Sequence, residues 1–544
     1  MIGVFMEKEK NADKPSGGLA GYATPYTGFA AKIDKFFGVT KRGSSIKVEL
    51  FAGIATFLAM SYILIVNPNQ ILYAPPEGQV NAFADYWPSL FMATALGAII
   101  GTLLVSFVAK MPYAAAPGMG FNAMLGSLWG GGISLYGYFY NYSFGNAMLL
   151  VLISSILFLS LSFIPAGKDK KTGRQMVIRD RIFNGIPKGL RQAIPVGIGL
   201  FVAFIGFQNS GIIINHDYTL VNLVDFTNWN ASFSPANAII ALVGLIIIAV
   251  LAHNKIKGAV VIGMLGATIL GMIPMGGTQV TDVTRLVSSE GGITWAFWDN
   301  FANFFSGDVF LAAFKTGFDF SGAGEGFGFV LTSIMIVISF CMIDMFDTMG
   351  TITGCAMRAG LMDADGVPVN YDKCLYADAI SALAGAVIGT STVTLFVESG
   401  AGIAEGGKTG LTSLTVALLF LISMFILPFF AMIPAAASAS ALIYVGVVMM
   451  SNVKHIDFSN IKIAVPAFLT IVVMPLGYSI TAGIGIGLLS YVVISLACYV
   501  LDFIKFEMVI DSNPYSEKPV FDVSVVTIII AVLFCIHFFV PKVY

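Results

Sequence analysis

An all-α polytopic membrane protein is the fold class this sequence predicts. Hydrophobic residues make up 57% of its 544 positions and charged ones only 11%, well below the roughly one-quarter usual in soluble domains. Mean hydropathy is +0.85. Apolar stretches long enough to cross about 30 Å of hydrocarbon follow one another from residue 50 onward. The formal charge of −2 shows no basic excess of the kind that nucleic-acid binding requires.

Spans are expected near 50–72, 89–109, 147–163, 192–214, 237–254, 258–274, 328–357, 375–390, 411–433, 436–453, 462–478 and 481–503. Two further apolar segments, near 114–130 and 389–408, are interrupted by glycine. Basic loops stay on the cytoplasmic side, and Lys/Arg placement therefore sets the orientation. The tail 1–47 carries Lys32, Lys35, Lys41, Arg42 and Lys47 among others, and the segment 167–191 carries Arg174, Arg179, Arg181, Lys188 and Arg191. Both read as cytoplasmic. The connection 215–236 has no Lys or Arg, and 275–326 has only Arg285 and Lys315, so both read as external. Counting the two interrupted segments as crossings makes every loop obey the rule and brings the total to fourteen. The final apolar stretch, 523–540, is long enough for a fifteenth and equally able to lie in the interface.

The N-terminus lacks the charge, apolar core and small-residue order of a cleavable signal, and reads as a soluble tail. The five cysteines lie mostly in apolar runs with no C-x-x-C pair, which argues against a disulfide framework or a metal site.

The segment IKGAVVIGML from Ile256 recurs as ITAGIGIGLL from Ile480, with Gly263 matching Gly487 and Leu265 matching Leu489. Seven crossings separate the copies. An odd number reverses orientation, so the halves read as a 7+7 inverted repeat. The interrupted segments occupy corresponding positions. In the first, AAAPGMGFNAMLG, Pro117, Gly118 and Gly120 precede a half-helix that begins near Asn122. In the second, GTSTVTLFVESGAGIAEGG, a β-branched run reaches a break at Glu398, Ser399 and Gly400. A short extended strand feeding a half-helix leaves backbone N–H groups open at mid-membrane, which is tolerable only inside protein or around a ligand. Close helix packing through glycine is the alternative reading of the same residues.

FCMIDMFDTMGT, at 340–351, places two aspartates in one of the most apolar regions of the chain. On a helix Asp344, Asp347, Thr348 and Thr351 share a face that opens toward Arg358. Asp347 lies beside threonine and glycine, where it can brace backbone, and reads as structural. Asp344 has no such local role. With Glu398 it would form a two-carboxylate site able to exchange a proton, which makes both residues the proton-coupling candidates. Ionised carboxylates only accept hydrogen bonds, so a ligand should carry N–H or O–H donors, as a planar heterocycle does. Asn122 would read a mixed donor–acceptor edge, or cap its half-helix.

APGMGFNAM, IDMFDTMGTITGCAMRAGL, VESGAGIAEGGKTGLTS, AIPVGIGLFVAFIGFQNSGI and FAGIATFLAMSYILIVNP closely resemble signatures of the AzgA-like adenine/guanine/hypoxanthine permeases. These are a branch of the nucleobase transporter superfamily with the uracil-permease fold. The likeness spans roughly 48–501. It implies a core domain (48–165 and 327–434), a gate domain (166–274 and 435–503), an external connection (275–326) and a tail (504–544) with the extra apolar helix. It also implies proton-coupled purine uptake across the plasma membrane, no cofactor, and a fold that often forms homodimers. By the same resemblance Asp344 and Glu398 contact the purine, Asn122 and Thr348 complete the binding positions, and Asp347 is structural. Phe396, Leu395 and Met349 depart from the family pattern and bear on which purine fits. An anion carrier of the same architecture is the rival within transport, but acidic residues at the site would repel an anion. An intramembrane aspartyl protease needs aspartates on facing helices, whereas these lie three residues apart on one.

Overall fold

The computed structural model of the chain describes residues 25–72, 86–129, 142–168, 175–216, 219–229, 235–256, 258–275, 280–281, 295–321, 326–363, 367–509 and 519–539. Most of the expected N-terminal tail and parts of the external connection and C-terminal tail lie outside these residues.

The first half holds α1 (Gly28–Phe37), α2 (Ile46–Met60), α3 (Ile63–Ile71), α4 (Trp87–Leu104), β1 (Ala115–Pro117), α5 (Met119–Trp129) and α6 (Phe144–Phe163). A hairpin of β2 (Pro165–Lys168) and β3 (Gln175–Val177) leads into α7 (Ile178–Gly185) and α8 (Lys188–Asn209). A second hairpin, β4 (Ile213–His216) and β5 (Leu220–Leu223), precedes α9 (Pro235–His253) and α10 (Ala259–Gly271). After α11 (Phe297–Ser306) and α12 (Ala312–Lys315) come α13 (Gly326–Ala359), α14 (Tyr371–Ile388), β6 (Val393–Leu395) and α15 (Ser399–Ala404). The chain continues through α16 (Gly410–Ser423), α17 (Leu427–Ala431), α18 (Ala435–Met450), α19 (Ile461–Leu476), α20 (Ile480–Val509) and α21 (Val525–Phe539).

Among the described residues nine helical stretches are long and apolar enough to cross a membrane, Ile46–Ile71 and Gly326–Met357 among them. The expected spans at 258–274 and 462–478 fall on the shorter helices α10 and α19, and that at 375–390 on the 18-residue α14, which carries Asp372, Lys373 and Asp378. Both interrupted segments fold as a strand followed by a short helix. The two hairpins and the small helices α1, α7, α11 and α12 lie in the tail and in the connections between the expected spans. Short amphipathic pieces such as IRDRIFNG, α7, carry too few residues to stand out against the neighbouring spans. At about 1.5 Å per residue the 15-residue α21 is about 22 Å long, short of the hydrocarbon thickness; it packs on α20, α13 and α7.

The helices pack in two groups. One joins α2, α4, α6, α14, α15 and α16; the other joins α8, α9, α10, α18, α19 and α20. Small residues set the close approaches, as membrane packing without a hydrophobic drive requires. A Cβ at Gly101 would sit 2.7 Å from the Val393 side chain and 3.0 Å from Ala115, so α4 passes directly over β1 and β6 only because that residue is glycine. Gly389 ends α14 with φ +96°, a turn that L side chains resist, and sends the chain into β6.

Away from the crossing, Glu49 is fully buried and accepts from Lys408 N, Thr409 N and Thr412 Oγ1 at 3.0, 3.2 and 2.6 Å, closing the start of α16. Glu49→Ala strands these donors and is expected to cost about 2–4 kcal/mol. A lower melting midpoint of the detergent-solubilised protein checks this, with a smaller drop for Glu49→Gln, which keeps an acceptor oxygen.

Candidate functional site

The two interrupted segments meet. β1 and β6 pair antiparallel with Ala115 opposite Leu395, Ala116 opposite Thr394 and Pro117 opposite Val393. Backbone groups outside helices must find partners at this depth. Beyond the pairing, Gly118 N donates to Thr392 O at 3.0 Å and Phe396 N to Ala114 O at 2.9 Å. The Thr102 hydroxyl both donates to Ala115 O and accepts from Ala115 N, and Ser399 Oγ accepts from Ala114 N, each at 3.0 Å. The Asp378 carboxylate of α14 takes the Leu395 N–H at 3.1 Å. Three side chains, Thr102, Ser399 and Asp378, therefore take four loose backbone groups at the crossing.

Four carboxylates gather around it, in two sets. The first is buried: Asp344 is 1% exposed and Asp378 is fully enclosed. Thr348 Oγ1 donates to Asp378 Oδ2 at 2.6 Å and lies 2.8 Å from Thr394 Oγ1, and the Thr394 hydroxyl neighbours both carboxylates. Asp344 Oδ1 has no hydrogen-bond partner. The second set is half-buried: Glu398 accepts from the Tyr62 hydroxyl at 2.7 Å, and its charge acts on Asp347. Tyr62 stands at the break between α2 and α3, and its hydroxyl lies 3.8 Å from Met119 Sδ.

This arrangement departs from the expected pairing at three residues. Asp344 does not pair with Glu398; no hydrogen bond joins them, and its carboxylate neighbours are Asp378 and Asp347. Thr348 is fully buried and its hydroxyl is engaged with Asp378 and Thr394. Asp347, expected to brace backbone, makes no hydrogen bond among the described residues and keeps partial exposure beside Glu398. Helix geometry explains all three. Residues three apart share a face yet diverge by about 60°, so from one helix Asp344 turns toward α14 while Asp347 turns toward α15.

Asn122 is fully buried, in the first turn of α5 and not at its cap. Its Oδ1 accepts from Ser391 Oγ, and its Nδ2 has no partner. Because the strands run antiparallel, Asn122 follows β1 at one end of the crossing while Glu398 follows β6 at the other. Phe121 stacks on Phe340 with centroids 5.9 Å apart, and Phe396, Leu395 and Met349 are all buried.

Sequence reasoning missed Asp378 and Tyr62. Asp378 carried a signal, since YADAIS opens the apolar run of α14 and an intramembrane carboxylate is functional by default. Tyr62 carried none beyond its place in SYILIVNP.

The family profile described as Permease family matches residues 47–486. PbuO of Bacillus subtilis (strain 168), a guanine/hypoxanthine permease, is 35% identical over 469 residues, 85% of this chain and 94% of PbuO. AdeQ of Escherichia coli (strain K12), an adenine permease, is 33% identical over 465 residues, 85% of this chain and 90% of AdeQ. Among solved structures, the transmembrane domain of the cyanobacterium bicarbonate transporter BicA covers 80% of this chain and 97% of its own, with a TM-score of 0.53. At 14% identity that likeness speaks for the fold alone. The profile and the relatives each take in most of this apolar, multi-helix chain, and they assign it to the permease family: it is a multi-pass membrane transporter and not an enzyme.

Proposed function

We propose that this permease imports purine nucleobases (hypoxanthine, guanine or adenine) across the plasma membrane by proton symport. The observation that carries the reading is the half-buried Glu398, braced by Tyr62 beside Asp347, in a chain whose relatives are named for guanine, hypoxanthine and adenine. A carboxylate held this way accepts hydrogen bonds and suits the ring N–H groups of a purine. Asn122 Nδ2, buried and unpartnered, is a spare donor for an acceptor edge of the base. In this reading Glu398 and Asn122 meet the purine, the buried Asp344 with Thr348 and Asp378 holds the proton, and Asp347 lines the site.

The helix group around α2, α14 and α16 is then the core domain, and the group around α8, α18 and α19 the gate. Fourteen crossings arranged as a 7+7 inverted repeat, with the N-terminus cytoplasmic, would let the groups rock about the crossing in alternating access. A homodimer is compatible with this arrangement. The fold shared with BicA raises an anion carrier as a second reading, but the four carboxylates at the crossing disfavour it.

Competition by adenine, guanine, hypoxanthine, xanthine and uracil against one labelled purine tests substrate class. Purines are expected to compete and uracil not to; uniform failure of the purines removes the reading. An uncoupler that collapses the pH gradient is expected to abolish accumulation, and accumulation that survives it points to another driving ion.

A further inference from the structure

Arg179 is among the largest fully buried side chains, 1% exposed, although it belongs to the basic segment whose charges the sequence assigns to solvent. It lies at the start of α7. A guanidinium offers five N–H donors and stays charged in proteins. Here Nη1 donates to Ser162 Oγ at 2.7 Å, Nη2 lies 3.8 Å from Asp180 Oδ1, and Nε has no partner. The Phe158 ring centroid is 5.9 Å away. One direct hydrogen bond and one distant carboxylate leave this buried cation under-compensated, which is costly unless other negative charge faces it.

The facing charge comes from the crossing. α7 packs on α13, with Phe183 against Phe346 two residues beyond Asp344, and Arg179 is a charged neighbour of Asp344, Asp378 and Cys341, a smaller influence on each than its burial. Around Asp344 stand Asp347 and Cys341 on its own helix, Asp378 on α14, the Thr394 hydroxyl on β6 and Arg179 on α7. Arg179 is the cation in that set, and Asp344 Oδ1 is a buried acceptor without a hydrogen bond. Two carboxylates this close do not both ionise without a counter-charge. The position of α7 is itself secured. Thr527 Oγ1 of α21 donates to Gly185 O at 2.8 Å, and Phe183 packs on Phe346 with centroids 5.8 Å apart.

We propose that Arg179 is a positioning residue, the fixed counter-charge that allows the Asp344–Asp378 pair to release its proton inside the protein. It acts through the carboxylates and does not touch substrate. The inference deepens the reading of that pair as the proton-holding part of the site and rests on it for its role in transport.

The test uses the full-length protein with Arg179→Gln, Arg179→Lys, Asp378→Asn and the Arg179→Gln/Asp378→Asn double variant. Two readouts are taken from about pH 5 to about pH 9: uptake of labelled hypoxanthine, and the unfolding midpoint in detergent. Arg179→Gln is expected to lower uptake about tenfold and to move its pH profile toward alkaline values. Its midpoint should fall further below wild type as pH rises, because the uncompensated carboxylates ionise. Arg179→Lys should keep most of both. The double variant should regain about threefold in uptake over Arg179→Gln, with a flatter midpoint deficit. A deficit independent of pH, or no relief from Asp378→Asn, overturns the proposal. Should Arg179→Gln fail to reach the membrane, recovery of membrane protein in the double variant supports the proposal and its absence overturns it. The midpoint arm needs no substrate, so it decides the proposal even if hypoxanthine is not carried.

Discussion

Glu398→Gln and Asp344→Asn each reduce uptake of labelled hypoxanthine, guanine or adenine by about 100-fold, with the amount of protein in the membrane unchanged; this is the expected result for these two of the four carboxylates around the crossing. A hydrogen bond to a charged group is worth about 1.5–3 kcal/mol, and each 1.4 kcal/mol is roughly tenfold. The two losses should nevertheless differ in kind. Glu398 is half-buried and bonded to Tyr62, so its amide loses the base itself, and a binding measurement on purified protein should show the loss. Asp344 is enclosed with Asp378, so its amide should spare purine binding and remove accumulation driven by the pH gradient. Tyr62→Phe, which deletes the donor to Glu398 and little else, should weaken binding by about tenfold. Undiminished uptake in both carboxylate variants discards the site.

Asp378→Ala should be worse still, because it acts on the fold as well as the chemistry. One oxygen of this side chain takes the Leu395 N–H and the other takes the Thr348 hydroxyl. Truncation leaves a backbone donor open inside β6 at a depth where no water replaces the partner. An unsatisfied buried group of this kind costs about 1–3 kcal/mol, and the loss of the Thr348 bond adds to it. The expected outcome is a melting midpoint several degrees below wild type and no measurable uptake. Asp378→Asn retains an acceptor for Leu395 and should melt closer to wild type while still impairing transport. Equal midpoints for the alanine variant and wild type would show that the crossing does not depend on this side chain.

Much of the architecture could be read from the residues alone. Runs of apolar residues bounded by Lys32, Lys35 and Arg42 on one side of the chain, or by the uncharged 215–236 on the other, mark helices by length and composition, and α2, α4, α6 and α8 fall close to where those runs place them. Pro117 with Gly118, and Gly389 with the β-branched run after it, mark backbone that does not continue as helix, and both became strands. These are local signals, set within a few residues. The hairpins of β2 with β3 and β4 with β5 escaped notice because they are short and lie among loop residues.

The partners of the carboxylates were a different matter. Periodicity put Asp344 and Asp347 on one face of α13, and the residues by themselves determined that much, along with the family likeness and the two broken segments. Only the tertiary structure decided that Asp344 turns to Asp378 while Asp347 turns to Glu398, that Tyr62 braces Glu398 from 336 positions away, and that Arg179 of the basic segment is buried at the start of α7. The physical reason is range. Helix, strand and turn preferences act over a handful of residues, whereas the field and the hydrogen bonds of a buried charge depend on which distant helices the packing of small residues lets approach.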